Sequence, residues 1–194
     1  MRKYVVAQIL EAQRVMTAML ADDNLLSTVE AATEACIDCI LQKGKILLAG
    51  NGGSAADAQH IAGEFVSLFA FDRPGLPAIA LTTDTSVLTA IGNDYGYETL
   101  FARQIQAYGN KGDVFIGYST SGKSANILRA LEEARSRGLV CVGLTGNRGS
   151  PMQELCDYLL EIPSDDTPKI QEGHLVLGHI LCGLVEERLF TRPK

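Results

Sequence analysis

The sequence predicts an α/β protein: a five-stranded parallel sheet with helices on both faces, preceded by an N-terminal helical arm. Three observations carry this. Five short apolar runs, at residues 45–49, 77–81, 113–118, 139–144 and 158–162, are each the length of one strand. Helical periods and capped turns lie between them, the alternation that builds parallel βαβ units. Two more helical periods stand ahead of the first strand, which is more than such a sheet needs. A chain of 194 residues is expected to fold as one domain, 1–194, with 1–42 as an arm that packs on the domain and on a partner subunit.

Composition bounds the rest. Apolar residues make up 46% and charged residues 21%, and the net charge is −6. Such a chain has no basic surplus for nucleic acid. No apolar run approaches a membrane span. The first residues soon meet Gln8, Glu11, Gln13 and Arg14, so no signal peptide is expected. Five cysteines, an odd number, fit reduced thiols in a cytoplasmic protein. Cys36 and Cys39 have CxxC spacing but lie inside a helical period with no second pair. Core packing is the better reading for them and for Cys141, Cys156 and Cys182.

The elements follow in order. Val5, Ile9, Val15, Met16 and Met19 mark a helix over 3–20, broken at Asp22–Asn24. Val29, Ala32, Cys36 and Ile40 mark a second over 25–42, ended by Lys43 and Gly44. After strand 45–49, Gly50–Gly53 makes a turn and Ser54 is placed as the N-cap of a helix through Phe69. Strand 77–81 leads to Thr83–Thr85, which cap a short helix through Ile91. Gly92–Gly96 is expected to be a loop, and a helix then runs to Tyr108. Strand 113–118 feeds a hydroxyl-rich loop and an amphipathic helix over 125–135. After strand 139–144, Ser150 and Pro151 open a short helix, and after strand 158–162 Pro168 opens a long one to Phe190. In such sheets ligands sit beyond the carboxyl ends of the strands. Asn51–Ser54, Asn93–Asp94 and Ser119–Ser124 gather there.

The loop Gly117–Ser124 reads as an anion site, with an ordinary serine-rich strand-to-helix turn as the alternative. It joins a strand to a helix N-terminus, whose N–H groups and dipole favour a phosphate, and Ser119, Thr120, Ser121 and Ser124 add hydroxyls. Gly117, Gly122, Lys123 and Ser124 also match the nucleotide-binding P-loop pattern. That reading needs an apolar strand ending in a magnesium-binding Asp, and no strand here supplies one. A phosphorylated small molecule is the expected guest.

Three histidines are weighed singly. His60 and Glu64 share a helix face at i and i+4, spacing that serves a metal or an acid–base pair as well as an ordinary surface contact. On the last helix, Gln171 and His179 lie about 80° apart around the axis and His174 and His179 about 140° apart. His174 and His179 therefore do not easily serve one metal, and one of them is expected to be structural.

Ala49–His60, Gly92–Gly96, Ser119–Ser124 and Ile170–His174 with His179 together resemble the phosphoheptose isomerase family of the sugar isomerase (SIS) domain superfamily, over nearly the whole chain. The resemblance implies the SIS fold, a flavodoxin-like architecture, in a cytoplasmic homotetramer with active sites between subunits. It implies an aldose–ketose isomerase that turns sedoheptulose 7-phosphate into D-glycero-D-manno-heptose 7-phosphate, the first step towards the heptose of lipopolysaccharide core or capsule. By the same resemblance Ser119, Thr120, Ser121 and Ser124 form the phosphate cradle. Asn51, Gly52, Gly53, Ser54, Glu64, Asn93, Asp94 and Gln171 contact substrate. His60, Glu64, Gln171 and His179 hold one zinc ion per subunit, and Glu64 and His179 are the acid–base pair. Gln is an uncommon zinc ligand, and a carboxylate bound to zinc is a poor proton shuttle.

Two positions depart from the family pattern. Lys123 stands where many relatives have Asn and is expected to point to solvent. Leu68 stands where some relatives have Arg. A competing class is the non-enzymatic SIS module, an adaptor for the replication initiator or a phosphosugar sensor. Such modules can lose the acid–base residues, and the presence of Glu64, Gln171 and His179 favours the enzyme.

Overall fold

The computed structural model describes residues 1–192. Its strands are β1 (Ile46–Ala49), β2 (Ala78–Ala80), β3 (Val114–Tyr118), β4 (Val140–Gly146) and β5 (Tyr158–Ile162). They form one sheet in the order β2-β1-β3-β4-β5, every neighbouring pair parallel. The helices are α1 (Arg2–Leu20), α2 (Asp23–Leu41), α3 (Gly53–Val66), α4 (Thr85–Asp94), α5 (Leu100–Tyr108), α6 (Ala125–Ser136), α7 (Met152–Leu155) and α8 (Thr167–Leu189), with a 3₁₀ turn at Tyr97–Thr99.

Both faces of the sheet are covered, which is why β1 and β3 read as continuous apolar runs rather than as alternating ones. Ile46, Leu48, Val114 and Ile116 face the core shared with α1, α2, α3 and α8. Leu47, Ala49 and Phe115 face the core shared with α5, α6 and α7. The strand order reverses between β1 and β3. The turn after β1 and the loop after β3 therefore diverge over the two faces and leave a crevice at the carboxyl edge.

Several boundaries differ from expectation for identifiable reasons. Ser54 does not cap α3; Gly52 does, at φ +57°, a conformation glycine adopts without strain, and Ser54 is buried within the first turn. The helix stops at Val66, not Phe69, because the Arg73 guanidinium collects the carbonyls of Glu64, Phe65 and Ser67. α4 continues to Asp94, so Gly92, Asn93 and Asp94 are helical rather than in a loop. Asp84 does cap it, accepting from the Val87 N–H. α2 does end ahead of Lys43 and Gly44, with Lys43 in the left-handed turn at φ +63°.

Candidate active site

α3 and α8 run side by side in the same direction, and three matched levels show it. Gly53 lies against Gln171, His60 against His179, and the segment after Val66 against Glu186. Residues far apart in sequence are thereby brought level with one another.

The middle level holds the chemistry. His60 Nε2 and His179 Nε2 stand 2.8 Å apart, and Glu64 Oε1 lies 3.3 Å from His60 Nε2. Each of the three residues offers a ligand atom within 4.8 Å of the other two. The rings of His60 and His179 are 5.1 Å apart between centroids, and the Phe69 ring lies 5.7 Å from that of His179. His60 is exposed, while Glu64 and His179 are half-buried, so the group opens to solvent on one side and is walled on the other. Two imidazole nitrogens and a carboxylate oxygen converging on one point are the donor types zinc takes, so the cluster fits a zinc ion.

The upper level differs. A side chain at Gly53 would place its Cβ 2.5 Å from the Gln171 Nε2, so the Gln171 amide lies directly over the start of α3. His60 is seven residues further on, roughly 10 Å along the axis. Gln171 thus stands on the crevice side, and it would have to leave Gly53 to reach the His60 cluster.

The serine loop after β3 turns back on itself. Gly122, at φ +64°, lets its N–H reach the Ser119 carbonyl at 2.9 Å, and a side chain there would strike Ser150. The hydroxyls of Ser119 and Ser124 meet at 2.9 Å, and Ser121 Oγ accepts the Lys123 N–H. Ser124 opens α6 without capping it through its side chain, which leaves the first-turn N–H groups to a guest anion. Ser119 is buried, Thr120 is half-buried and Ser121 is exposed, and the Lys123 side chain is turned to solvent as expected.

Between the turn and the loop, Asn51 is held from two sides. It exchanges hydrogen bonds with the buried Asn126 amide at 2.8 and 2.9 Å, and its Oδ1 also accepts the Tyr97 hydroxyl at 2.9 Å. Beside it lies a cleft of about 490 Å³, walled by Gly50–Gly52, Ala55, Thr82, Leu88, Gly92 and Tyr97 among others. Asn93 and Asp94 are exposed at the end of α4 and bonded to each other, and from this segment it is Gly92 that lines the cleft. Sequence reasoning missed Tyr97, Asn126, Phe69 and Arg73. Asn126 alone carried a signal, as an amide two residues past the cradle on a helix that otherwise turns apolar residues inward.

His174 is the structural histidine. It is fully buried, with Nε2 3.3 Å from the Thr145 carbonyl and its ring edge-on to Tyr118. Burial pushes its imidazole down to about 4, against the raising effect of that carbonyl. The cysteines are all free, and burial pushes Cys141, Cys156 and Cys182 up to about 12, which makes them inert. Asp57, one turn before His60, keeps a buried Oδ2 without a partner, and burial raises its carboxyl. Leu68 is exposed.

The SIS domain family model matches residues 7–146. The chain is 75% identical to the phosphoheptose isomerase of Burkholderia pseudomallei (strain 1710b) over 97% of this chain and 96% of the relative. It is 60% identical to that of Aneurinibacillus thermoaerophilus, over 98% and 96% of the two chains. The solved phosphoheptose isomerase of Neisseria gonorrhoeae superposes with a TM-score of 0.90 at 41% identity, covering 96% of this chain and 98% of that one.

Proposed function

The chain belongs to the phosphoheptose isomerase family of SIS-domain proteins and is an isomerase, and on that premise we propose that it converts sedoheptulose 7-phosphate to D-glycero-D-manno-heptose 7-phosphate through a cis-enediol(ate). The observation that carries this is the convergence of His60, Glu64 and His179 from two parallel helices. A carboxylate and an imidazole in one cluster are what a carbonyl shift between C2 and C1 requires.

In this reading the phosphate sits on the Ser119–Ser124 loop, with Thr120, Ser121 and the start of α6 as donors. Asn51, fixed by Asn126 and Tyr97, meets the sugar hydroxyls together with the Gly52–Ser54 backbone and Gln171. Asn93 and Asp94 follow Gly92, which lines the same cleft. Glu64 takes the proton from C1 and returns it to C2. His179, through the ring nitrogen not turned to His60, gives a proton to the C2 oxygen and recovers one from the C1 oxygen, so the reaction is neutral overall. Glu64 has two oxygens: Oε1 faces His60, which leaves Oε2 for the proton.

His60, Glu64 and His179 would hold the zinc ion, and zinc would supply a Lewis acid that polarises the carbonyl and stabilises negative charge on the enediolate. Gln171 is assigned to the substrate side, where it lies over Gly53.

The same proposal makes the protein a cytoplasmic homotetramer with active sites at subunit interfaces, and residues 1–42 its oligomerisation arm. In support, Tyr4, Val5, Val6, Ile9 and Leu10 are exposed on α1, of which only Val15 and Met19 are buried. Five free thiols fit a reducing compartment, and no helix among the described residues is long and apolar enough to cross a membrane. The product would feed ADP- or GDP-heptose synthesis for lipopolysaccharide core or capsule. The direct test is appearance of the aldose when the purified chain meets sedoheptulose 7-phosphate; no turnover with zinc supplied would refute the reading.

A further inference from the structure

Below the His60 cluster, the lower level of the α3–α8 contact is a buried ion pair. Glu186 is fully buried and the Arg73 side chain is 2% exposed, with Arg73 Nε 3.1 Å from Glu186 Oε1. Besides a bond from Nη1 to the Pro74 carbonyl, the guanidinium donates to the end of α3. Nη2 donates to the Glu64 carbonyl at 2.8 Å, and Nη1 to the carbonyls of Phe65 and Ser67 at 2.6 and 2.9 Å. Glu186 in turn accepts the Phe69 N–H at 2.9 Å and the Ala70 N–H at 2.7 Å.

Three features aim this bridge at the reaction rather than at stability alone. Arg73 holds the backbone of Glu64 itself. Glu186 lies seven residues after His179, about 20° off the same stripe of α8. Phe69, whose N–H Glu186 fixes, lays its ring against His179, and Gly183 leaves room for that ring, since a Cβ there would come within 3.2 Å of it. A buried ion pair is a poor device for stability, because apolar replacements often do as well. It does fix two elements in one register. We propose that Arg73 and Glu186, acting through Phe69, are positioning residues that set His179 against Glu64 and His60. The inference rests on the role proposed above for that cluster.

The test uses the full-length assembly and two variants. Arg73→Lys keeps a charge for Glu186 but cannot fork to the α3 carbonyls. Phe69→Leu leaves the ion pair intact and removes only the ring against His179. Zinc affinity is read by titrating metal-free protein against a competing chelator, alongside kcat and KM for sedoheptulose 7-phosphate. Both variants are expected to bind zinc at least about 10-fold more weakly, as loss of a supporting contact around a metal ligand does, and to lose kcat about 10-fold with KM within about twofold. Folded variants with unchanged zinc affinity and kcat, and only a lower melting temperature, would overturn the proposal. If Arg73→Lys does not fold, Phe69→Leu decides by the same criteria. If the parent chain binds no zinc, the metal reading fails separately, and the kcat of the variants decides the positioning claim.

Discussion

The Nε2 atoms of His60 and His179 stand 2.8 Å apart although 119 residues separate them in sequence. One of the two must carry a proton on that nitrogen for the contact to be attractive. A cation between them would satisfy both lone pairs at once. Glu64 completes the group, and its removal should be the most informative single change. Glu64→Gln preserves shape and removes the base. Isomerisation should fall by at least about 10²-fold, while light scattering finds the assembly of the parent. A variant with full activity would end the assignment of Glu64 as base.

Ser121 is an exposed hydroxyl at the mouth of the cradle. A donor to phosphate is worth about 1.5–3 kcal/mol when lost. Ser121→Ala should therefore weaken phosphosugar binding by about 10-fold or more and leave the weak binding of free heptulose unchanged. Calorimetry with the two sugars separates these effects, and equal losses would place the phosphate elsewhere.

Tyr97 holds Asn51 with one hydrogen bond from its hydroxyl. Tyr97→Phe removes only that bond and leaves the Asn126 pair in place. KM should rise several-fold with kcat changed little, an effect of about 1 kcal/mol. Steady-state kinetics decides this, and a change confined to kcat would contradict it.

His174 makes stability depend on pH. In the unfolded chain it titrates near 6.5, and in the folded chain burial pushes it down to about 4. Between those values the unfolded chain binds a proton that the folded chain does not. The folded state should lose up to about 3 kcal/mol as pH falls from about 6.5 to 4. Urea unfolding at several pH values measures the slope, and His174→Leu should lack this part of it. Identical slopes would show that other groups govern acid stability.

The α1 face offers a separate test. Ile9 and Leu10 are 63% and 57% exposed. An Ile9→Glu, Leu10→Glu double variant should keep its circular dichroism and lose the proposed tetramer in light scattering. A tetramer that survives would move the interface off the arm.

The fold was legible because each of its signals is local. Apolar runs of strand length, the break at Asp22–Asn24, the cap at Asp84, and the Pro at the start of α8 act within a few residues of where they stand. The serine loop was legible for the same reason. The His60–His179 pairing was not readable from spacing alone, because it depends on how α3 and α8 align, which no local pattern encodes; the family resemblance supplied it. Arg73 and Glu186 gave no sign at all. In sequence they are an ordinary loop arginine and a glutamate in a charged helix end, and only packing buries them together. Ser54 misled because a serine after a glycine turn resembles an N-cap, whereas Gly52 already ends the turn in a conformation serine avoids.

The most direct test of the central claim is isomerisation followed by NMR, with sedoheptulose 7-phosphate and purified protein, before and after treatment with a chelator. The account predicts that chelation abolishes appearance of the aldose and that added zinc restores it. Turnover that is indifferent to the chelator, in protein shown to contain no metal, would contradict a metal-supported His60–Glu64–His179 centre.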